Sequence, residues 1–402
     1  SDVDLDFAQF GIWNHAGHQL AQFFKRVGLQ LAEIGVHCLG MKRGWEGDYK
    51  GSIVEMAAPW RRSSDVDKGW HDTMRKQHSE LKCNITTIGG GTGTFNVLSG
   101  LGKNRRLNLA AIVTVADSGG STGELRDEFG ILPPGDIRRA IVALAEDTEV
   151  VRRLFEYRFK EGHSIGGHTI GNLLLTALSD IMGDFERGIE ELSEMFDVHG
   201  KVIPVTLENV SLGVTLENGD CILGESQIDV PRHEVSSPIR NAFLLGEGPL
   251  NPRAREAIEN SDFVIIGPGD LYTSIVPNLL CKGMVEALRA SQAKIIYVCN
   301  VMTKHGETDG FLVEDFVRVL EQYLGEGRID YLLVNSGELR PDLVQKYQSE
   351  GKAPVLMRDR AALQAKGIKV IERDFTSETD YIRHDPRKLA RTVEDFASGW
   401  IK

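Results

Sequence analysis

Residues 85–93, Ile-Thr-Thr-Ile-Gly-Gly-Gly-Thr-Gly, run from a short apolar strand straight into a glycine cluster. Thr94-Phe95-Asn96-Val97-Leu98 follow with helical character, so the local reading is strand, tight loop, helix. That geometry aims backbone N–H groups and the positive end of a helix dipole at one point, where an anion fits. No Lys-Ser/Thr pair follows, so the loop is not a Walker A loop. Counted from Gly91 the pattern is Gly-x-Gly-x-x-Asn, with Asn96 where a dinucleotide fingerprint has Gly or Ala. Asp117 nevertheless follows the next apolar run, Leu109–Val115, about where a ribose-binding carboxylate would stand. The plain alternative is a βα turn with no ligand.

Outward from this loop, strands and helices alternate from residue 82 on. Strands are expected at Asn84–Ile88, Leu109–Val115, Phe263–Ile266, Ile295–Val298 and Tyr331–Val334, and helices at Asp136–Ala145, Thr169–Met182, Phe185–Phe196 and Val313–Leu324. Short apolar runs between amphipathic helices imply an α/β fold with a doubly wound, mostly parallel sheet covered on both faces. Val210–Leu216 and Cys221–Ser226 flank Asn218-Gly219, a hairpin signal, so a small antiparallel element is expected as well.

The chain has 402 residues, 41% apolar and 26% charged, which fits an ordinary soluble protein with a large core. A net charge of −12 argues against non-specific binding to nucleic acid or an anionic membrane. An anionic ligand must then be held by a local positive site. The five cysteines are scattered without metal-ligand spacing, and no apolar run is long enough to span a membrane. The acidic start, Ser1–Asp6, has no signal-peptide pattern, so a cytoplasmic location is expected.

Composition shifts near residue 82. Residues 1–81 read as an amino-terminal extension of unknown role plus a linker, and 82–402 as a nucleotide-binding domain. The extension carries helical spacing over Leu20–Leu31, a His15-x-x-His18 pair without a second pair to complete a metal site, and Gly44-Trp45-Glu46-Gly47. That last stretch faintly resembles a turn near the amino end of phosphofructokinases, but the phosphate loop of those enzymes is absent.

The unusual polar clusters fall just after expected strands, where open parallel sheets bind ligands. They include Ala116-Asp117-Ser118-Gly119-Gly120-Ser121-Thr122-Gly123, Pro133-Pro134-Gly135-Asp136-Ile137-Arg138, Gly167-His168-Thr169-Ile170-Gly171-Asn172, Thr206-Leu207-Glu208-Asn209-Val210, Gly267-Pro268-Gly269-Asp270-Leu271-Tyr272-Thr273-Ser274, and Asn300-Val301-Met302-Thr303. With Gly-Gly-Gly-Thr-Gly at 89–93 and Gly-Glu-Thr-Asp-Gly at 306–310, these strings closely resemble the gluconeogenesis factor (YvcK-like) family. That family is a branch of the CofD-like, or 2-phospho-L-lactate transferase, superfamily, and the likeness covers about residues 84–385.

The resemblance implies a Rossmann-like core that binds a nucleoside diphosphate, in this branch a UDP-sugar such as UDP-N-acetylglucosamine. It also implies a regulatory role linking carbon metabolism to cell-wall and cell-shape control. The alternative is the transferase branch, which moves a phospholactyl group from a nucleotide-activated donor with a divalent metal. Gly90, Gly91, Thr92 and Gly93 would cradle phosphate. Asp117 would hold Mg²⁺ and, in a transferase, take the catalytic role. Asp136, Arg138, His168, Asn172, Asn209, Gly267, Gly269, Tyr272, Thr273 and Asn300 would contact ligand, and Tyr347 and Arg383 match positions used around the uracil base. One departure stands out: the family usually has two adjacent aspartates where this chain has Asp117-Ser118, and commonly Ser where it has Asp270. No serine, histidine and carboxylate in a recognisable elbow announce a nucleophile, and Asn96 speaks against an NAD-dependent oxidoreductase. A homodimer is the default for such a fold.

Overall fold

A computed structural model of the chain describes residues 83–399 apart from 147–148, 161–164, 231–236 and 378. The readings at Leu20–Leu31, His15 and His18, Gly44–Gly47 and the 81/82 boundary lie outside the described residues.

Seven strands form one parallel sheet: β1 (Cys83–Gly89), β2 (Leu107–Val113), β3 (Lys201–Pro204), β7 (Phe263–Ile266), β8 (Lys294–Val298), β9 (Tyr331–Asn335) and β10 (Lys369–Arg373). Their spatial order is β10-β9-β8-β7-β1-β2-β3. The chain winds outward from β1 in one direction and, from β7, in the other, so the switch point lies between β1 and β7. There Ile85 and Ile88 register with Phe263 and Ile266. The crevice beyond the carboxyl ends of two such strands is where this architecture takes ligands.

The central strands are buried on both faces and mostly apolar, with Thr86 and Thr87 of β1 the buried polar exceptions there. In β7, Val264 and Ile266 face a cluster with Val313, Phe316 and Leu320 of the helix Val313–Leu324. Ile265 faces the opposite cluster with Val97, Leu98 and Leu101 of α1 (Gly91–Leu101) and Leu389, Val393 and Phe396 of the helix Pro386–Ala397. A continuous apolar run is what two buried faces require.

The hairpin exists and is part of a three-stranded antiparallel sheet. β4 (Ser211–Leu216) pairs with β5 (Cys221–Leu223) across the turn containing Gly219, and with β6 (Ile239–Leu245) on its other edge. Gly219 sits at φ +94°, a conformation that favours glycine. This sheet lies in sequence between β3 and β7, and its Leu212, Val214 and Ala242 join the core cluster on the Val313–Leu324 face. No helix among the described residues is long and apolar enough to cross a membrane.

Candidate functional site

The carboxyl ends of β1, β2, β7 and β8 open into a cavity of about 620 Å³. Its floor is the glycine loop, Gly90 to Gly93, where α1 begins without a side-chain cap. Two of these glycines are required by packing. A Cβ on Gly93 would lie 2.1 Å from the carbonyl oxygen of Pro268, and one on Gly90 would lie 2.5 Å from an Asp136 carboxylate oxygen. The loop is thus pressed against the β7 loop on one side and a buried acid on the other. Asp136, at the start of α3 (Gly135–Leu144), accepts the Gly91 backbone N–H and an Arg139 Nη1–H at 2.9 Å. Burial, with Asp117 nearby, raises its pKa, while Arg139 and the Gly91 N–H oppose the rise.

Asp117 stands where β2 leads into α2 (Gly120–Phe129), its Oδ1 accepting the Gly119 N–H at 2.9 Å. The sequence has Ser at 118, but space supplies a second carboxylate from elsewhere. Glu225 opens the short helix Glu225–Asp229 after β5, and its Oε2 accepts the Ser118 N–H at 3.4 Å. Burial, then the charges of Asp117 and Asp229, push the Glu225 pKa up to about 8. Asp117 and Glu225 could offer oxygen ligands to a divalent cation, as could Asp229, Asp270 and Glu307, whose oxygens lie within 4.8 Å of one another.

Asp270 has its own counter-ion. Lys304 Nζ lies 2.8 Å from Asp229 Oδ1 and 3.5 Å from Asp270 Oδ2. Burial works against the Lys304 charge, but Asp270 and Asp229 outweigh it and hold its pKa above the usual lysine value. Beneath them Glu307 is buried, accepting the Tyr272 N–H and the Thr273 hydroxyl, each at 3.1 Å. Burial and Asp270 push its pKa up to about 8 against the pull of Lys304.

On the α2 side, Arg138 and Asn172 meet at 2.9 Å, Nε donating to Oδ1. Asn172 is in the first turn of α5 (Ile170–Met182), capped by Thr169, and α4 (Glu149–Glu156) precedes it. Burial and the neighbouring Arg139 lower the Arg138 pKa to about 10, which leaves it charged at neutral pH. At the far end the cavity is walled by Val301, Met302, Ile382, Arg383 and His384. Burial drops the His384 pKa to about 4, so the ring is neutral and its Nε2–H donates to the Cys299 carbonyl at 3.1 Å.

Most of the expected site residues therefore share one cavity: Gly90 to Gly93, Asp117, Asp136 and Arg138 on one side, Asn172, Gly269, Thr273, Asn300 and Arg383 on the others. Five lie elsewhere. His168 is one step behind the wall, bonded to Ser121. Tyr272 is a core residue whose hydroxyl reaches the Ile239 carbonyl, away from the cavity. Gly267 adopts φ +73° against Val298 and Ile275 behind the loop. Asn209 lines a separate surface hollow with Phe129 and Leu207. Tyr347 packs on Val301 and Ile382 from behind, under the Lys352 ammonium. Sequence reasoning placed Ser121 in the polar cluster after β2 without giving it a role, and missed Glu225, Asp229 and Lys304, because the inserted sheet and the β8 loop bring them together only in space.

The family of 2-phospho-L-lactate transferase CofD matches residues 85–376. A gluconeogenesis factor of Bacillus subtilis is 42% identical over 317 residues, spanning 78% of this chain and 98% of that protein. Its counterpart in Halalkalibacterium halodurans is 40% identical over 315 residues, 78% and 96% of the two chains. A crystal structure of an upf0052 family member from Bacillus halodurans superposes with a TM-score of 0.74 at 39% identity, covering 78% of this chain and 99% of that one.

Proposed function

Because the chain belongs to the gluconeogenesis factor family within the CofD-like superfamily, we propose that its cavity binds a nucleoside diphosphate sugar as a regulatory ligand. The expected ligand is a UDP-sugar such as UDP-N-acetylglucosamine, and the signal connects carbon metabolism to cell-wall and cell-shape control. The observation that carries this reading is the placement of the cavity at the β1/β7 switch point. A diphosphate would sit at the α1 end, near Arg138, and the base at the Arg383 end. The volume is within the range of small-molecule sites, roughly 300–1,000 Å³.

A second reading, a CofD-like transferase of a phosphorus-containing group, draws on the Asp117–Glu225 pair. A divalent cation there would stabilise charge on transferring phosphate oxygens. Calorimetric titration with UDP-N-acetylglucosamine, GDP and NAD, each with and without Mg²⁺, separates the two. Saturable UDP-sugar binding, lost in Arg383→Ala, supports the regulator. GDP preference with strong Mg²⁺ dependence, lost in Asp117→Ala, supports the transferase, and binding of neither removes both.

A further inference from the structure

Behind the α2 wall of the cavity lies a chain of hydrogen-bonded polar side chains. Arg138 Nε can only donate, so Asn172 Oδ1 accepts. Asn172 therefore turns Nδ2 to Ser121, and donates to its Oγ at 3.2 Å. Ser121 Oγ keeps a second lone pair beside the one Asn172 occupies, so the direction of its 2.9 Å contact with His168 Nδ1 is set by the imidazole tautomer. On the other side of the ring, His168 Nε2 faces an oxygen of the exposed Glu124 carboxylate at 3.4 Å, a long contact that favours the imidazole hydrogen on Nε2 and leaves Nδ1 to accept from Ser121. The result is Ser121 donating to a basic nitrogen whose opposite edge is oriented by a carboxylate. That is the arrangement that activates a serine oxygen.

The backbone agrees with it. Gly119-Gly120-Ser121-Thr122-Gly123 is a Gly-x-Ser-x-Gly turn between β2 and α2. Gly120 takes φ +44°, and a Cβ on Gly123 would lie 2.4 Å from the Ser118 carbonyl oxygen. The turn sets Ser121 as the second residue of α2, lining the cavity with the glycine loop. A strand–turn–helix that presents a serine at a helix start is similar to the elbow of serine nucleophiles, with the positive φ here on Gly120 rather than on the serine. The serine turn is visible in the sequence, but its pairing with His168, 47 residues away, is not.

We propose that Ser121 is a nucleophile, with His168 as its base and Glu124 orienting the ring, and that it attacks the phosphorus of a phosphate ester or anhydride bound on the glycine loop. The Oγ–P bond forms as the P–O bond to the leaving group breaks. The leaving oxygen takes the electron pair, and the Oγ proton passes through His168 Nδ1 to that oxygen. Water then attacks the phosphoserine phosphorus as His168 takes its proton; the Oγ–P bond breaks, phosphate leaves, and the imidazolium returns the proton to Oγ. This activity is independent of which nucleotide the cavity prefers.

The test is labelling of the full chain with a biotinylated fluorophosphonate, followed by peptide mapping. Oγ–P formation with departure of fluoride should give one adduct, on Ser121, absent in Ser121→Ala. His168→Gln should label about 100-fold more slowly, the scale of general-base assistance, with thermal melts showing both variants folded. A wild-type chain that takes no adduct, takes it on another residue, or labels equally fast without the His168 imidazole overturns the proposal. No nucleotide enters the assay, so its outcome and that of the UDP-sugar titration are separable.

Discussion

Replacing Gly93 by alanine sets two effects against each other. Alanine is the better helix former, worth roughly 0.5–1 kcal/mol over glycine inside a helix. The added Cβ, however, would stand 2.1 Å from the Pro268 carbonyl oxygen, 2.5 Å from its carbon and 2.9 Å from the Gly269 nitrogen. All three are backbone atoms, so relief requires α1 and the β7 loop to separate. Overpacking of this kind costs about 1–3 kcal/mol, which outweighs the helical gain and leaves a net loss of roughly 0.5–2 kcal/mol. Scanning calorimetry should show a fall of a few degrees in Tm. The same separation carries the loop amides away from the ligand; losing one charge-assisted hydrogen bond, about 1.5–3 kcal/mol, weakens UDP-sugar binding at least tenfold. Gly100→Ala is the control, because its Cβ would meet the Pro386 carbonyl oxygen at 2.2 Å at the other end of α1. Both variants should melt lower, and only Gly93→Ala should bind more weakly. A Gly93→Ala protein that melts at or above the wild type refutes the packing argument. Equal losses of affinity in the two variants refute the placement of the ligand.

Glu307 has a folded pKa of about 8 against an ordinary 4.5, so its proton stabilises the fold below pH 4.5, and that contribution is lost as pH rises through 8. Glu307→Gln keeps the protonated form's contacts, so its melting temperature should gain on the wild type from pH 5 to pH 9; a constant difference would contradict the assignment. Lys304→Met leaves the carboxylates of Asp229, Asp270 and Glu307, whose oxygens lie within 4.8 Å of one another, without their ammonium. Stability should drop by roughly 1–3 kcal/mol, between the values for exposed and buried ion pairs, and millimolar Mn²⁺ should raise the variant's melting temperature but not the wild type's. Arg383→Ala should weaken UDP-sugar binding at least tenfold at unchanged stability, whereas Tyr347→Ala should lose stability and affinity together and Tyr347→Phe neither. Isothermal titration beside thermal melts separates these cases, and a Tyr347→Phe protein with tenfold weaker binding would put the phenol in the site.

The central strands and the loops that follow them were legible in the sequence because β1, β7 and β8 are short β-branched and apolar runs buried on both faces, with glycine, proline or asparagine within two residues of each carboxyl end. The helix Val313–Leu324 was legible to its last residue for the same reason, one apolar face repeated at helical spacing. The edge strands were not. Lys201–Pro204 is four residues long and ends in proline. Lys369–Arg373 begins with Lys and ends in Glu-Arg, and each pairs on one side only. β6 was hidden by Arg240-Asn241, which face outward from an antiparallel sheet. In the site, the loop glycines were visible but half of their reason was not, since the partners of Gly90 and Gly93 are Asp136 and Pro268, far along the chain. Tyr272 and Gly267 belong to the same strings as the cavity residues, and only tertiary packing separates those facing the ligand from those holding the loop.

The carboxylate on the Gly91 amide has one more consequence. The helix end that would receive a phosphate already holds an anion belonging to the protein, kept there by Arg139. An incoming phosphate must expel Asp136 from that amide or find it neutralised, and a buried acid beside Asp117 is neutralised by taking a proton. Ligand capture then becomes an exchange of one anion for another, and the affinity measured is a difference between two occupants. A ligand too weakly charged to displace Asp136 would then be held less well, without any moving lid.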